Sequence, residues 1–290
     1  MTKLAIITCQ TLPEPDRDEE LLREALRRAN IDATWVAWDD PKASWSTYDA
    51  GLFRSCWNYA HHPEAFAHWL NALESQLPCF NAIETVRWNL HKSYLLRFAD
   101  QEVATVPTVL TSKGDNKTLH DILETQGWDD AVIKPAISAG SFKTLRVQTA
   151  GTKAAQEHFK SLQKWRDVLV QPYLPSVEEY GERAIVVIDG SITHAVRKSP
   201  RFMNHDENVS GALEVSASER TLVEQVLTCL EKPPLYVRVD VAPGLDGKMA
   251  LMEVELIEPS LFFLKHPPAL QLFIEALKER LDGLAGLKRT

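Results

Sequence analysis

A surplus of positive charge is the first thing this sequence lacks. Its 290 residues carry 32 Lys+Arg against 40 Asp+Glu, a net charge of −8. That balance argues against a nucleic-acid partner held by bulk charge, because counterion release needs an excess of Lys and Arg. It leaves room for a phosphate-bearing ligand held by a few local cations. Long apolar runs are lacking as well. The longest purely aliphatic stretch, Ala184-Ile185-Val186-Val187-Ile188, is far short of the ~20 residues that span a bilayer. The opening MTKLAIITCQ has one Lys and an apolar segment too short for a signal peptide, so the expectation is a cytosolic chain with no membrane partner. Cysteine is scarce. Cys9, Cys56, Cys79 and Cys229 stand far apart with no C-x-x-C pair, which argues against a zinc centre or a disulfide framework and for small buried hydrophobes.

Tryptophan, by contrast, is plentiful and unevenly placed. Six of the eight (Trp35, Trp38, Trp45, Trp57, Trp69 and Trp88) fall in the first third, which marks a distinct N-terminal module. There, strands are expected at Lys3–Thr8, Ala33–Trp38 and Gly51–Arg54, with helices at Asp18–Asn30 and Pro63–Leu77. This is an α/β layout with a parallel sheet, whose ligands would collect at the carboxyl ends of the strands. Those ends are Thr8-Cys9-Gln10 and Arg54-Ser55-Cys56-Trp57-Asn58-Tyr59. Beyond Asn81 the pattern changes. A helix is expected over Thr85–Asp100, then antiparallel strands near Val132–Lys134, Thr144–Val147, Val168–Tyr173, Arg183–Ile188 and Thr193–Arg197. Turn signals at Gly140, Gly151, Gly181 and Asp189-Gly190 separate them. A helix at Ser216–Leu230 precedes a hairpin of Leu235–Ala242 and Met249–Leu256. Ala269–Leu281 reads as a closing helix and Gly283–Thr290 as a frayed tail.

The chemistry-bearing residues cluster in this second part. Asp240 lies on one strand of the last hairpin, and Glu253 and Glu255 share a face of the other because strand side chains alternate. Three converging carboxylates repel one another unless a cation sits among them, and Mg²⁺ is commonly held by one or two carboxylates plus substrate phosphates. A solvent-facing acidic strip is the structural alternative, although Leu251, Met252, Val254, Leu256 and Ile257 suggest burial. Lys134 ends an apolar strand and leads into the small-residue loop Ala136–Ser141, a pattern able to cradle phosphate or to form an ordinary turn. Lys92 is a second cation on the expected helix. Gln171-Pro172-Tyr173-Leu174 closes an apolar strand whose exposed backbone could pair with a purine edge or simply leave the sheet.

In this order, the segments VRWNLHKSYL, VIKPAISAGS, LPSVEEYGERAIVVIDGSITHAVRKSP and MEVELIEPSLFF resemble the ATP-grasp family. The resemblance is to its glutathione-synthetase and RimK-like branch. With FRSCWNYAHHPEAFAHWL added, it extends to the cyclo-ligases of O-ureido-D-serine and their relatives. The resemblance implies an α/β and α+β protein, with an N-terminal Rossmann-like pre-ATP-grasp domain (1–84) ahead of a two-lobed ATP-grasp fold (85–290). The nucleotide lobe would be 85–167 and the metal-binding lobe 168–290. It implies ATP and Mg²⁺ (or Mn²⁺) as cofactors and an ADP-producing carboxylate–amine ligase working through an acyl phosphate. A small amino-acid-like molecule would be the substrate and the amide linear or cyclic. A RimK-type protein-modifying ligase and a non-catalytic ATP-binding module are the alternatives. Homo-oligomers are common among such relatives, though nothing in these residues marks an interface.

Carried over residue by residue, Lys92 and Lys134 would hold the α- and β-phosphates under a loop containing Gly140 and Ser141. Gln171, Tyr173 and Leu174 would line the adenine pocket. Glu182, with Glu178 and Glu179 as rivals, would accept from the ribose. Asp240, Glu253 and Glu255 would ligate the metal. Lys198, assisted by Arg238, would face the transferring phosphoryl group. Two positions depart from the branch. Glu255 stands where the metal motif commonly ends in Asn, and Ala184 replaces a substrate-side Arg, so substrate recognition does not carry over. Arg54 is the expected partner of the substrate carboxylate, with an interdomain ion pair as its structural alternative. Trp57, Asn58 and Tyr59 would shape the wall beside it, and His61-His62 would face solvent.

Overall fold

A computed structural model of the protein describes residues 2–148, 152–199 and 209–287. The turn expected at Gly151 and most of the loop 201–211 lie outside the described residues. The chain starts with β1 (Lys3–Thr8), α1 (Glu19–Arg28), β2 (Asp32–Ala37), β3 (Ala50–Phe53), α2 (Pro63–Glu74) and β4 (Cys79–Phe80). These build a parallel sheet in the order β2-β1-β3-β4. The central strand β1 is apolar on both faces because helices cover both. Leu22 and Leu26, one helical turn apart on α1, are buried.

Next come α3 (Ile83–Leu90), α4 (Tyr94–Asp100), β5 (Val109–Thr111), α5 (Leu119–Gln126), β6 (Asp130–Pro135), β7 (Leu145–Gln148), α6 (Lys153–Gln163) and β8 (Val168–Pro172). The four strands form an antiparallel sheet ordered β5-β8-β6-β7. Two expectations are corrected here. Strand β8 pairs with β5 and β6, so the nucleotide-side sheet runs past residue 167. The single helix 85–100 is broken into α3 and α4, because His91 is extended and the Lys92 amide donates to the Ala136 carbonyl at 2.8 Å instead of continuing the helix. α5 begins with a reciprocal capping box between Thr118 and Asp121.

The last part holds α7 (Ser176–Glu179), β9 (Glu182–Ile188), β10 (Ser191–Lys198), α8 (Ala217–Thr228), β11 (Tyr236–Pro243), β12 (Met249–Glu255) and α9 (Pro267–Leu287). Its antiparallel sheet is ordered β10-β9-β11-β12. Alternation along β9 explains its continuous apolar run. Ala184, Val186 and Ile188 point into a core shared with α1, β1 and α9, whereas Ile185 and Val187 point into a second core under α4 and α8. Full burial of each such aliphatic side chain contributes about 1.5–3 kcal/mol. Helix α9 continues to Leu287, past the tail expected from Gly283, and Leu284 packs on the first core. At Gly181 the backbone has φ +81°, and an added Cβ would fall 2.4 Å from the Arg197 side chain, so a glycine is required there.

The shared core fixes the N-terminal sheet to the third sheet. Polar ties reinforce it: the Asn81 side-chain amide donates to the Tyr236 and Leu256 carbonyls, and the Tyr236 hydroxyl bonds the Phe53 and Ile257 carbonyls at 2.7 Å each. All four cysteines are free, with Cys9 and Cys56 buried and Cys79 and Cys229 half-buried.

Candidate active site

A cavity of about 350 Å³ opens where the three sheets meet. Its floor is the hairpin β11–β12. Arg238 and Asp240 share one face of β11, and their register partners on β12 are Glu255 and Glu253. The Arg238 guanidinium forks onto Asp240 at 2.8 and 2.9 Å and pairs with Glu255. Lys198, cross-strand neighbour of Glu182 on β10, pairs with Glu182 and reaches Asp240 at 2.6 Å. Lys92, freed by the α3–α4 break, pairs with Glu253. Lys134, at the end of β6, also lines the cavity and has no ion-pair partner among the described residues.

Burial and charge pull against each other across this floor. Burial pushes the Asp240 carboxyl up, but Arg238 and Lys198 outweigh it and hold the group well below the usual carboxylate range. Glu253 is likewise held low by Lys92 and Lys134 against the effect of burial. Glu255 goes the other way, pushed up to about 8 by burial despite Arg238. Burial lowers the Lys134 ammonium, with Glu253 opposing and Lys92 adding to the depression.

The loop after β6 roofs the cation end. Gly140 and Ser141 line it with left-handed backbones, φ +56° and +59°, a conformation that turns successive N–H groups toward one side. His61 and His62 are both exposed, facing solvent as expected, and at the cavity rim the His61 ring meets Phe142 at 4.3 Å. Gln171, Tyr173 and Leu174 line the opposite side with Val106, Val132 and Val177. The Tyr173 amide is spent on the Asp130 carbonyl, its hydroxyl donates to Glu178, and Arg146 stacks on its ring at 3.4 Å. Glu178 is thus engaged outside the cavity and neither it nor Glu179 lines it; of the three glutamates considered, Glu182 does.

Two of the expected site residues lie outside the cavity lining. Arg54 does not line the cavity. It is 1% exposed, donates to the Pro259 carbonyl at 3.1 Å and lies behind the wall, joining the N-terminal domain to the segment after β12. Asp240 is fully buried beneath Arg238 and Lys198 and is not presented to the cavity. Of the proposed wall, Trp57 and Tyr59 line the cavity, while Asn58 is turned to Trp38 and Asp39. Sequence reasoning missed Glu258, a 5%-exposed cavity carboxylate that burial pushes up to about 7 and that has the Tyr59 hydroxyl as hydrogen-bond partner.

Among the described residues no three His, Cys, Asp or Glu side chains form a ready-made metal cage. Glu253 and Glu255 nonetheless offer two hard oxygen donors on one face of β12, open to the cavity beside several cations. That donor set fits a divalent ion whose remaining positions are filled by phosphate and water.

The prokaryotic glutathione synthetase ATP-grasp domain matches residues 91–262, more than half of the chain, and the protein belongs to this ATP-grasp family of ligases, which use ATP and a divalent metal. The N-terminal domain of the D-cycloserine synthetase DcsG matches residues 4–81. The cycloserine biosynthesis protein DcsG of Streptomyces lavendulae is 28% identical over 294 residues, covering 96% of this chain and 98% of that protein. The crystal structure of D-cycloserine synthetase DcsG superimposes with a TM-score of 0.89 at 29% identity, covering 96% of this chain and 99% of that one. A D-alanine–D-alanine ligase from Bacillus anthracis shares the fold, with a TM-score of 0.66 at 14% identity over 100% of this chain and 99% of its own. No helix among the described residues is long and apolar enough to cross a membrane.

Proposed function

We propose that the protein is an ATP- and Mg²⁺-dependent carboxylate–amine ligase acting, in the cytosol, on a small amino-acid-like acid to give a linear or cyclic amide. The observation that carries this reading is the arrangement of Lys92, Lys134, Lys198 and Arg238 around Glu253 and Glu255 in one cavity. A carboxylate is a poor electrophile: its charge repels nucleophiles and its leaving group would be oxide. Attack of a substrate carboxylate oxygen on the γ-phosphorus, with cleavage of the bond to the β-phosphate oxygen, gives ADP and an acyl phosphate. The amine nitrogen then attacks the acyl carbon, the C–O bond breaks, and phosphate leaves with the proton the nitrogen loses.

Lys92 and Lys134, under Gly140 and Ser141, are assigned to the α- and β-phosphates, and Lys198 and Arg238 to the transferring group. Their work is positioning and charge neutralisation. Gln171, Tyr173 and Leu174 are assigned to the base and Glu182 to the ribose. The metal, held by Glu253 and Glu255 with Asp240 anchoring the cations beneath, supplies further neutralisation of phosphate charge. Closure of the Gly140 loop keeps water from the acyl phosphate. Residues 1–84 form the leading domain in this scheme and the rest the ATP-grasp part, with β8 counted in its nucleotide lobe. The similarity to D-cycloserine synthetase DcsG and the His61–Phe142 contact across the rim favour a small substrate over a protein chain.

The test is ADP release from ATP and Mg²⁺ against free amino acids, O-ureido-serine and short peptides. Stimulation by one small acid is the expected result. Stimulation by peptides alone would favour the protein-modifying reading, and ATP binding without stimulated turnover would favour a binding module.

A further inference from the structure

The other carboxylates of the cavity, and Asp240 beneath it, are matched by cations: Glu182 by Lys198, Glu253 by Lys92, Glu255 and Asp240 by Arg238. Glu258 is different. It is 95% buried and faces the same cavity, yet it has no ion-pair partner among the described residues. Burying a carboxylate without a cation is costly, and this chain holds the group in place from two sides. The Trp57 indole N–H donates to the Glu258 carbonyl at 2.9 Å, and the Tyr59 hydroxyl faces its carboxylate.

The surroundings indicate what would complete it. Trp57 and Tyr59 line the cavity at this end, and aromatic faces attract ammonium groups. Arg238, on β11, reaches the carbonyl of Ser260, two residues along the chain from Glu258, at 3.5 Å. A buried anion with aromatic neighbours, next to a guanidinium at the phosphate side, complements a molecule that carries an ammonium and a carboxylate on one carbon. We infer that Glu258 binds the α-ammonium of the substrate and so makes this ligase select a zwitterionic α-amino acid as the acid it activates. The inference rests on the ligase reading above and sharpens it. The ammonium at Glu258 would orient the substrate so that its carboxylate lies toward Arg238 and Lys198, where phosphorylation occurs.

The experiment compares each amino acid that stimulates ADP release with its α-hydroxy counterpart, in which hydroxyl replaces the ammonium. In the wild-type protein, kcat/KM for the amino acid should exceed that for the hydroxy acid by on the order of 100-fold, since a buried charged group left unpaired rejects the analogue. In Glu258→Gln the ratio should fall toward one, chiefly through KM for the acid. Glu258→Asp, which keeps the charge, should recover part of the ratio. Equal turnover of amino and hydroxy acids by the wild type, a comparison that needs no variant to fold, overturns the role of Glu258 while leaving the ligase reading standing. An unchanged ratio in folded, ATP-binding Glu258→Gln does the same. Failure of every free amino acid to stimulate the wild type overturns the small-substrate reading and this inference together.

Discussion

Trp57 donates its indole N–H to the backbone carbonyl of Glu258 at 2.9 Å across 201 positions of sequence. That bond joins the carboxyl end of the N-terminal parallel sheet to the turn that follows the carboxylate strand β12, beside the bond from Arg54 to the Pro259 carbonyl. Replacing Trp57 by Phe keeps an aromatic wall and removes the donor, leaving a carbonyl unpaired. The expected loss is about 1–2 kcal/mol of stability with a several-fold rise in KM for the acid and little change in KM for ATP. Thermal unfolding and steady-state kinetics measure both. Equal effects on the two KM values would show that the bond serves the fold alone.

Glu253 faces the cavity with Lys92 and Lys134 as its neighbours, and the proposed function makes it a metal ligand. Glu253→Gln removes charge at constant shape. ADP release should fall by on the order of 100-fold or more, as when a group aimed at developing charge is removed, while ATP binding persists. Chelation of divalent metal should abolish turnover in the wild type, and Mg²⁺ should restore it. Wild-type turnover that survives chelation would remove the metal from the scheme.

The lysines test the difference between a paired and an unpaired cation. Lys92 is buried and bound to Glu253, so Lys92→Met strands a carboxylate and should cost about 3 kcal/mol or more of stability as well as activity. Lys134 is bound to nothing among the described residues, and burial already lowers its ammonium. Lys134→Met should therefore leave stability unchanged or raised while KM for ATP increases by about tenfold or more, consistent with loss of a phosphate contact. Denaturant melts beside nucleotide titrations separate the two; matching stability losses would refute the distinction.

What the sequence disclosed and what it withheld follow from the reach of the interactions. Glu253 and Glu255 were legible because a period of two is local to a strand, and Lys134 because an apolar strand ending in Lys and small residues is a local pattern. The break that frees Lys92 was not legible: the chain alone reads as a helix, and the Ala136 carbonyl that captures the Lys92 amide arrives from another sheet. Arg54 had the right address, the carboxyl end of a parallel strand, but its guanidinium is drawn behind the wall by the Pro259 carbonyl. Glu258 was not among the residues the sequence singled out. Its burial comes from Trp57 and Tyr59, contributed by the opposite end of the chain. A Glu next to Pro beyond an apolar strand was the one local hint.

His194, buried on β10, stacks on His266 with ring centroids 4.8 Å apart. Its Nδ1 meets the Thr193 hydroxyl at 2.9 Å, and its Nε2 makes no hydrogen bond among the described residues, the nearby Leu261 backbone opposing the shift only weakly. Burial, aided by the facing His266, lowers its pKa to about 4, against about 6.5 in the unfolded chain. The folded protein therefore takes up this proton later than the unfolded one as pH falls. Stability from this site is complete above about pH 6.5 and is lost between there and about pH 4, with a slope of at most about 1.4 kcal/mol per pH unit. Replacing His194 by Phe removes the titration, so the variant's stability should fall less steeply than the wild type's across that window, while the two run parallel above pH 7. Urea midpoints at half-unit steps from pH 4 to 8 measure the difference, and parallel curves throughout would show that His194 titrates as freely when folded as when unfolded.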